Sequence, residues 1–471
     1  MRHQTEAAAL DARLHIDLAR LNYPGRDWVE PRAGPDGARA LDVAIVGAGM
    51  VGLSLAHGLI REGVRHIACL DAAEAGREGP WVTFARMETL RSPKHLTGPD
   101  LGLAGLTFRA WFEARRGATA WDELGKIDRR DWMDYLMWYR RMLDLPVRNR
   151  VRIARIRPQS SGLFRLEHDG GAVFARKVVL ATGREGAGGR RWPAVVPRDL
   201  GADLLAHSAD AIDFARLAGK HVGILGAGAS AFDNAAAALE AGAAAVDQFC
   251  RSPHLAQVNK FKALSYPGPL NGHYRLGDAE RWRFIHHALA AQVPPPRETM
   301  ARLDRFSGFQ LHFASSWTRV ERRGDRVRVE TTAGDYEFDF VILGTGFTAD
   351  LAMRPELAAL ADKIALWRDR YAPPSDLADD ELGRFPYLDA GFAFQEKRAG
   401  EAPFLADIHC FNHGCLPSHG AIAGDIPGLG TAVERLTRRL VEDLFAADRA
   451  AHWSRLVAAD ERELAGTKWA G

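Results

Sequence analysis

Cysteine is scarce, with four thiols in 471 residues. So few argue against a disulfide-stapled scaffold and fit a reducing, cytoplasmic setting. No apolar run approaches the roughly 18 residues that span a bilayer, and mean hydropathy is slightly negative. The opening stretch MRHQTEAAALDARLHIDLAR is charged throughout, so it reads as a short surface-packed helix rather than a signal peptide. Excess charge of either sign is also lacking. Subtracting 60 acidic from 62 basic residues leaves +2, which points away from nucleic acid and anionic membrane as partners. No Ser-His-Asp, Cys-His or paired-carboxylate arrangement stands at catalytic spacing. His409, Cys410, His413, Cys415 and His419 crowd one stretch but match no zinc-ligand spacing, so no metal is expected.

What the chain does have is length and two copies of one pattern. Its 471 residues suffice for two or three domains, and 47% apolar with 26% charged residues is ordinary for a globular protein. LDVAIVGAGMVGLSLAHGLIREG (Leu41 to Gly63) and HVGILGAGASAFDNAAAALEAG (His221 to Gly242) each read as an apolar strand, a glycine turn and an alanine-rich helix. In the first, Gly47 permits the bend, Gly49 lets backbone approach a pyrophosphate, and Gly52 lets helix pack on strand. The uncapped helix N-terminus then faces the phosphates. The next strand ends at Asp71, nineteen residues after Gly52, where a carboxylate can accept hydrogen bonds from both ribose hydroxyls of an adenosine.

The second unit keeps Gly226 and Gly228 but has Ser230-Ala231 where the third glycine would be; Ala231 is still small enough for close packing. Twenty-four residues after Gly47 stands Asp71, whereas twenty-four after Gly226 stands Cys250, followed by Arg251 and Ser252. A guanidinium binds a 2′-phosphate that a carboxylate would repel, so this site is expected to take NADPH rather than NADH.

A second duplication frames the layout. GLFRLEHDGGAVFARKVVLATG and DRVRVETTAGDYEFDFVILGTGF each read as an alternating hairpin followed by a buried strand, ending at Ala181-Thr182-Gly183 and Gly344-Thr345-Gly346. The expected architecture is α/β with two Rossmann-like dinucleotide-binding domains, the NADPH domain inserted in the FAD domain. Residues 1–40 form an N-terminal extension, 41–200 and 336–471 the FAD domain, 201–335 the NADPH domain, and about 107–143 a helical segment. REGAGGRRWP is the expected outgoing linker. The tryptophans between Trp111 and Trp138 read as a core or a dimer contact, so a homo-oligomer stays open.

These residues resemble the class B flavoprotein monooxygenases, which hold the flavin-containing monooxygenases and the siderophore-type N-hydroxylating enzymes. The resemblance rests on GAGMVG with Asp71, GAGASA with Arg251, and the ATG and GTGF strand ends, across roughly Leu41 to Leu440. It implies FAD at the first site and NADPH at the second, and places Thr182 and Gly183 beside the flavin. GPW (Gly79 to Trp81) is similar to the stretch lining the flavin in that class, which puts Trp81 there. METLRSPKHLTG looks like the segment running past the flavin ring toward substrate, with Met87 near the ring and Arg91 and Lys94 toward substrate or nicotinamide. FNHGCLPSHGAIAGDIPGLGTAVERL resembles the last cofactor-facing loop and helix, with Asn412 and His413 lining the pocket and Asp425 near the ribityl hydroxyls or serving as a helix cap. The Baeyer–Villiger signature FxGxxxHxxxW is incomplete around His207, so ketone oxygenation is not implied.

The implied activity is an NADPH- and O2-dependent monooxygenation through a flavin C4a-(hydro)peroxide. The expected substrate is a small nucleophile, oxygenated at an amine nitrogen or a sulfur. The alternative is a flavin NADPH reductase that passes electrons to a disulfide or protein acceptor. Cys410 and Cys415 have the spacing of a redox pair but lie in the tail, where buried inert thiols are the commoner outcome.

Overall fold

The computed structural model describes residues 2–469. The chain starts with α1 (Arg2–Arg20), 19 residues long. Leu10, Leu14 and Leu18 recur at helical spacing and are buried in the first domain's core. Burying each contributes about 1.5–3 kcal/mol, so the amino-terminal segment is anchored rather than merely resting on the surface. Trp138 Nε1 adds a 2.8 Å hydrogen bond to Asp11.

β1 (Leu41–Val46), α2 (Met50–Arg61) and β2 (Ile67–Leu70) make the first right-handed strand–helix–strand unit. The helices α3 (Phe108–Arg116), α4 (Ala118–Glu123) and α5 (Arg129–Met142) follow. Their aromatic rings close on themselves: Phe108 lies within 5.4–6.4 Å of Trp111, Phe112, Trp121, Trp132 and Tyr135. That cluster is core, not a substrate cage.

β3 (Val147–Arg148), β4 (Ile153–Pro158), β5 (Phe164–His168) and β6 (Gly171–Leu180) complete most of the sheet, in order β3-β2-β1-β6-β5-β4. β6 changes partners along its length. It pairs antiparallel with β5 over its first half, then parallel with β1, which explains a part-exposed stretch running into a fully buried one, Arg176 and Lys177 included.

The chain leaves through β7 (Gly188–Arg190). A second sheet is then built from β8 (Leu205–His207), β9 (His221–Leu225), β10 (Ala245–Phe249) and β11 (Phe309–His312). The helix α6 (Ala229–Glu240) packs against it. A hairpin layer of β12 (Trp317–Arg323), β13 (Arg326–Thr331) and β14 (Gly334–Phe338) covers the other face. β15 (Phe340–Leu343), which the 336–471 boundary assigns to the first domain, pairs instead with β9 and β8, giving the order β11-β10-β9-β15-β8. The second domain therefore extends through Leu343. The chain returns through β16 (Phe347–Ala349), which pairs antiparallel with β7. β17 (Ile408–Cys410) joins β6, and the helix Ile426–Ala447 packs on α2. No described helix is long and apolar enough to cross a membrane.

Candidate active site

The two glycine turns are built for close approach. Gly47 has φ +107°, and a Cβ there would stand 2.4 Å from the Ala181 carbonyl oxygen. A Cβ on Gly52 would lie 2.0 Å from the Gly47 oxygen. Gly49 and Gly228, by contrast, are not crowded: a Gly49 Cβ would meet only Gly79, in ordinary contact at 3.9 Å, and Gly228 has no atom within 4 Å. Both are N-caps of long helices and offer no side-chain cap, so the first N–H groups of α2 and α6 are free to bind phosphate. That is the cradle a dinucleotide needs, and the residues present fit FAD at the first turn and a nicotinamide dinucleotide at the second.

Asp71 is oriented by two backbone amides, Ala48 N at 2.7 Å and Ala73 N at 2.8 Å. The following loop is pinned by buried Glu78, which accepts from Gly76 N, Arg140 and Asn149. Gly79 then lies against Gly49, carrying Trp81 beside the turn. The Trp81 indole packs edge-on to Trp132 at 6.1 Å, and its buried Nε1 has no partner within the protein. At the second turn Ser230 is exposed at the start of α6. Arg251 is exposed after β10, while Ser252 Oγ closes a local turn onto His254 O.

Charged groups from both domains come together around Arg91. Arg91 Nη2 lies 3.7 Å from Asp233 of α6. Asp425 heads the helix Ile426–Ala447, yet its side chain makes no cap hydrogen bond. Desolvation raises its carboxyl, with Arg184 and Arg91 opposing the rise. Arg184 comes from the short turn Gly183–Ala187, within the segment read from sequence as a plain linker. His413 is held far below the usual range, at about 3, by desolvation and by the Arg184 charge, so it stands neutral at physiological pH. Its ring meets Phe385 edge-on at 5.6 Å. Met87 lines a narrow seam with Arg91, Thr299 and Arg302.

Two residues expected to line the pocket are spent elsewhere. Lys94 turns away from it and donates to the Trp121 and Asp122 carbonyls while covering the Trp121 ring at 4.9 Å. It caps α4, whose last carbonyls need donors. Asn412 is 1% exposed. Its amide donates to Leu180 O at 3.0 Å and Thr182 Oγ1 at 3.1 Å and accepts from Gly414 N at 2.8 Å, so it fixes the Thr182–Gly183 turn rather than facing substrate. Cys410 and Cys415 are free, buried thiols; burial pushes Cys415 up to about 12 and Cys410 well above its usual value. Such thiols are poor redox partners. Among the described residues no cluster suited to a metal ion occurs.

Comparison with known proteins agrees with this geometry. Residues 44–185 match the FAD-NAD(P)-binding family, and residues 121–287 the L-lysine 6-monooxygenase/L-ornithine 5-monooxygenase family. Ornithine hydroxylase of Pseudomonas aeruginosa has a similar fold, with TM-score 0.66 and 18% identity over 86% of this chain and 100% of its own. L-lysine 6-monooxygenase of Pseudomonas syringae gives TM-score 0.64 and 20% identity over 85% of this chain and 99% of its own. The FAD-dependent urate hydroxylase of Xanthomonas campestris pv. campestris is 43% identical over 461 residues, covering 98% of this chain and 97% of that protein. The chain is an FAD- and nicotinamide-dependent monooxygenase, and it belongs to the class B flavoprotein monooxygenases in the family of that FAD-dependent urate hydroxylase.

Proposed function

We propose that this enzyme hydroxylates urate, drawing its electrons from NADPH. The observation that carries the reading is the gathering of Arg91 and Arg184 around Asp425, each near enough for its charge to act on that carboxylate, in a chain alike along nearly its whole length to a urate hydroxylase. Urate is a planar monoanion at neutral pH, and two guanidinium forks suit its ring oxygens. His413, kept neutral, can accept or donate a hydrogen bond without adding charge. Urate is also an electron-rich nucleophile, but it carries neither amine nor sulfur, so this reading departs from the nitrogen or sulfur oxygenation expected from sequence.

When bound, the flavin would accept hydride from the reduced nicotinamide and deliver its electrons to O2. One oxygen atom enters urate and the other leaves as water. The residues of this chain supply the rest. Asp71 and the ends of α2 and α6 would seat the dinucleotides, Thr182 and Trp81 would border the flavin ring, and the N-terminus of the helix Ile426–Ala447 would favour negative charge on it. Arg251 supports NADPH over NADH, since no carboxylate stands at the end of β10 to repel a 2′-phosphate.

The test is NADPH oxidation by the FAD-loaded enzyme with and without urate, with urate loss and peroxide followed together. Urate consumption equal to NADPH consumption supports the reading. NADPH oxidation that yields only peroxide with urate, but hydroxylated product with ornithine or lysine, would replace it with amine N-hydroxylation.

A further inference from the structure

We propose that Asp233 is a positioning residue for the anion site: a carboxylate of the second domain that fixes the Arg91 guanidinium, itself carried by the first. The inference rests on reading Arg91 as a substrate-binding cation.

Asp233 stands on α6, five residues beyond Gly228, and its side chain is 4% exposed. A carboxylate so far from water needs compensating partners. It has one neutral donor, Thr299 Oγ1 at 2.6 Å to Oδ1, and one cation, Arg91 Nη2 at 3.7 Å from Oδ2. Desolvation pushes the Asp233 carboxyl upward, and Thr299, Arg91 and Arg302 pull it back. Arg91 stays 45% exposed, so N–H groups of its fork remain open to a ligand. The charges of Arg184 and Asp425 act on it as well. Held on one edge by a buried anchor, the guanidinium presents its remaining N–H groups in one direction.

The anchor crosses a stiff seam. Arg302 binds Glu240 with two hydrogen bonds of 2.8 and 2.6 Å and donates to Arg86 O at 3.2 Å. Lys126 pairs with Glu298 at 2.9 Å, and Arg86 donates to Asp210 O at 3.1 Å. Thus the strap carrying Arg91 is tied to the second domain at Arg86, and the segment that pairs with it through Leu90 N and Ile127 O is tied at Lys126. A surface ion pair at 3.7 Å would contribute little, but here the carboxylate is buried, and Arg302, the other cation whose charge acts on it, is already paired with Glu240.

The test compares Asp233→Asn, Thr299→Val, Arg91→Ala and the Asp233→Asn/Arg91→Ala double variant, each as full-length FAD-loaded protein. Three quantities are read: urate Kd from the perturbed flavin absorbance of the oxidised enzyme, the KM-against-kcat split, and Tm. Asp233→Asn, which keeps the shape and the Thr299 hydrogen bond, is expected to raise urate Kd and KM together by about 10-fold, with kcat changed by less than about threefold. In the Arg91→Ala background it is expected to add nothing, because the two residues act as a unit. Thr299→Val is expected to lower Tm while leaving urate Kd in place. An unchanged Kd in Asp233→Asn, losses that add in the double variant, or an equal Kd loss in Thr299→Val would each overturn the positioning role. An unchanged Kd in Arg91→Ala overturns instead the reading of Arg91 beneath it.

Discussion

Gly344 and Ala231 are complementary: a Cβ on Gly344 would stand 2.5 Å from the Ala231 Cβ. The second turn tolerates alanine at its third small position because the glycine has moved to the facing strand end. The first turn keeps the glycine in the helix, at Gly52. Gly52→Ala is therefore expected to cost about 3 kcal/mol in overpacking and yield protein without flavin. Gly228→Ala, facing open space, is expected to keep its flavin and fold while raising the NADPH KM about 10-fold or more. Flavin absorbance after purification and steady-state kinetics separate the two.

Arg251 bears on coenzyme choice alone. Arg251→Ala is expected to raise the KM for NADPH by about 10- to 100-fold, the worth of one or two charge-assisted hydrogen bonds. The KM for NADH should move less than about twofold. Equal effects on both would show that the 2′-phosphate is bound elsewhere.

Lys94 gives the opposite kind of prediction. Since its ammonium caps α4 and covers Trp121, Lys94→Met is expected to lower stability by about 1 kcal/mol and leave kcat and KM near those of the parent. A tenfold loss of kcat/KM with unchanged Tm would return Lys94 to the pocket.

Stability should fall on the acid side of neutrality. His57 is fully buried, and desolvation with the nearby Arg61 charge lowers it to about 3; His413 is lowered to about 3 as well. The unfolded chain protonates these rings first, from about 6.5 downward. Their contribution is whole above that value and is lost as pH falls toward 3, each at up to about 1.4 kcal/mol per pH unit. Urea unfolding at pH 7.5, 6.5 and 5.5 should show the decline, and His57→Gln should flatten it. A slope unchanged in that variant would place the acid sensitivity elsewhere.

The parts legible in the sequence were those whose meaning is local. A strand, a turn of fixed spacing and a helix announce a dinucleotide unit within about 30 residues, and both units fold that way. Asp71 could be located by counting. What the spacing could not show was partnership. The hairpin-plus-strand that ends at Leu180 and the one that ends at Leu343 look alike, but nothing in either says which sheet receives its last strand. Asn412 and Lys94 lie in the right segments and face the wrong way. Arg184 was passed over inside a glycine-rich linker, and Asp233 inside an alanine-rich helix. Their significance exists only once Arg91, 93 residues from the one and 142 from the other, is brought beside them.

The chain passes between its two domains twice, and β7 and β16 run those passes side by side, joined further by Arg191 N to Gly346 O at 2.9 Å and by Thr345 Oγ1 to Arg191 O. One strand alone would swivel freely. A two-ply ribbon twists and bends with far fewer freedoms, so whatever travel brings a nicotinamide toward its acceptor is confined to a narrow arc. The pitch of that ribbon becomes a gearing ratio for the enzyme, and lengthening one ply by a residue would detune it without touching either nucleotide cradle.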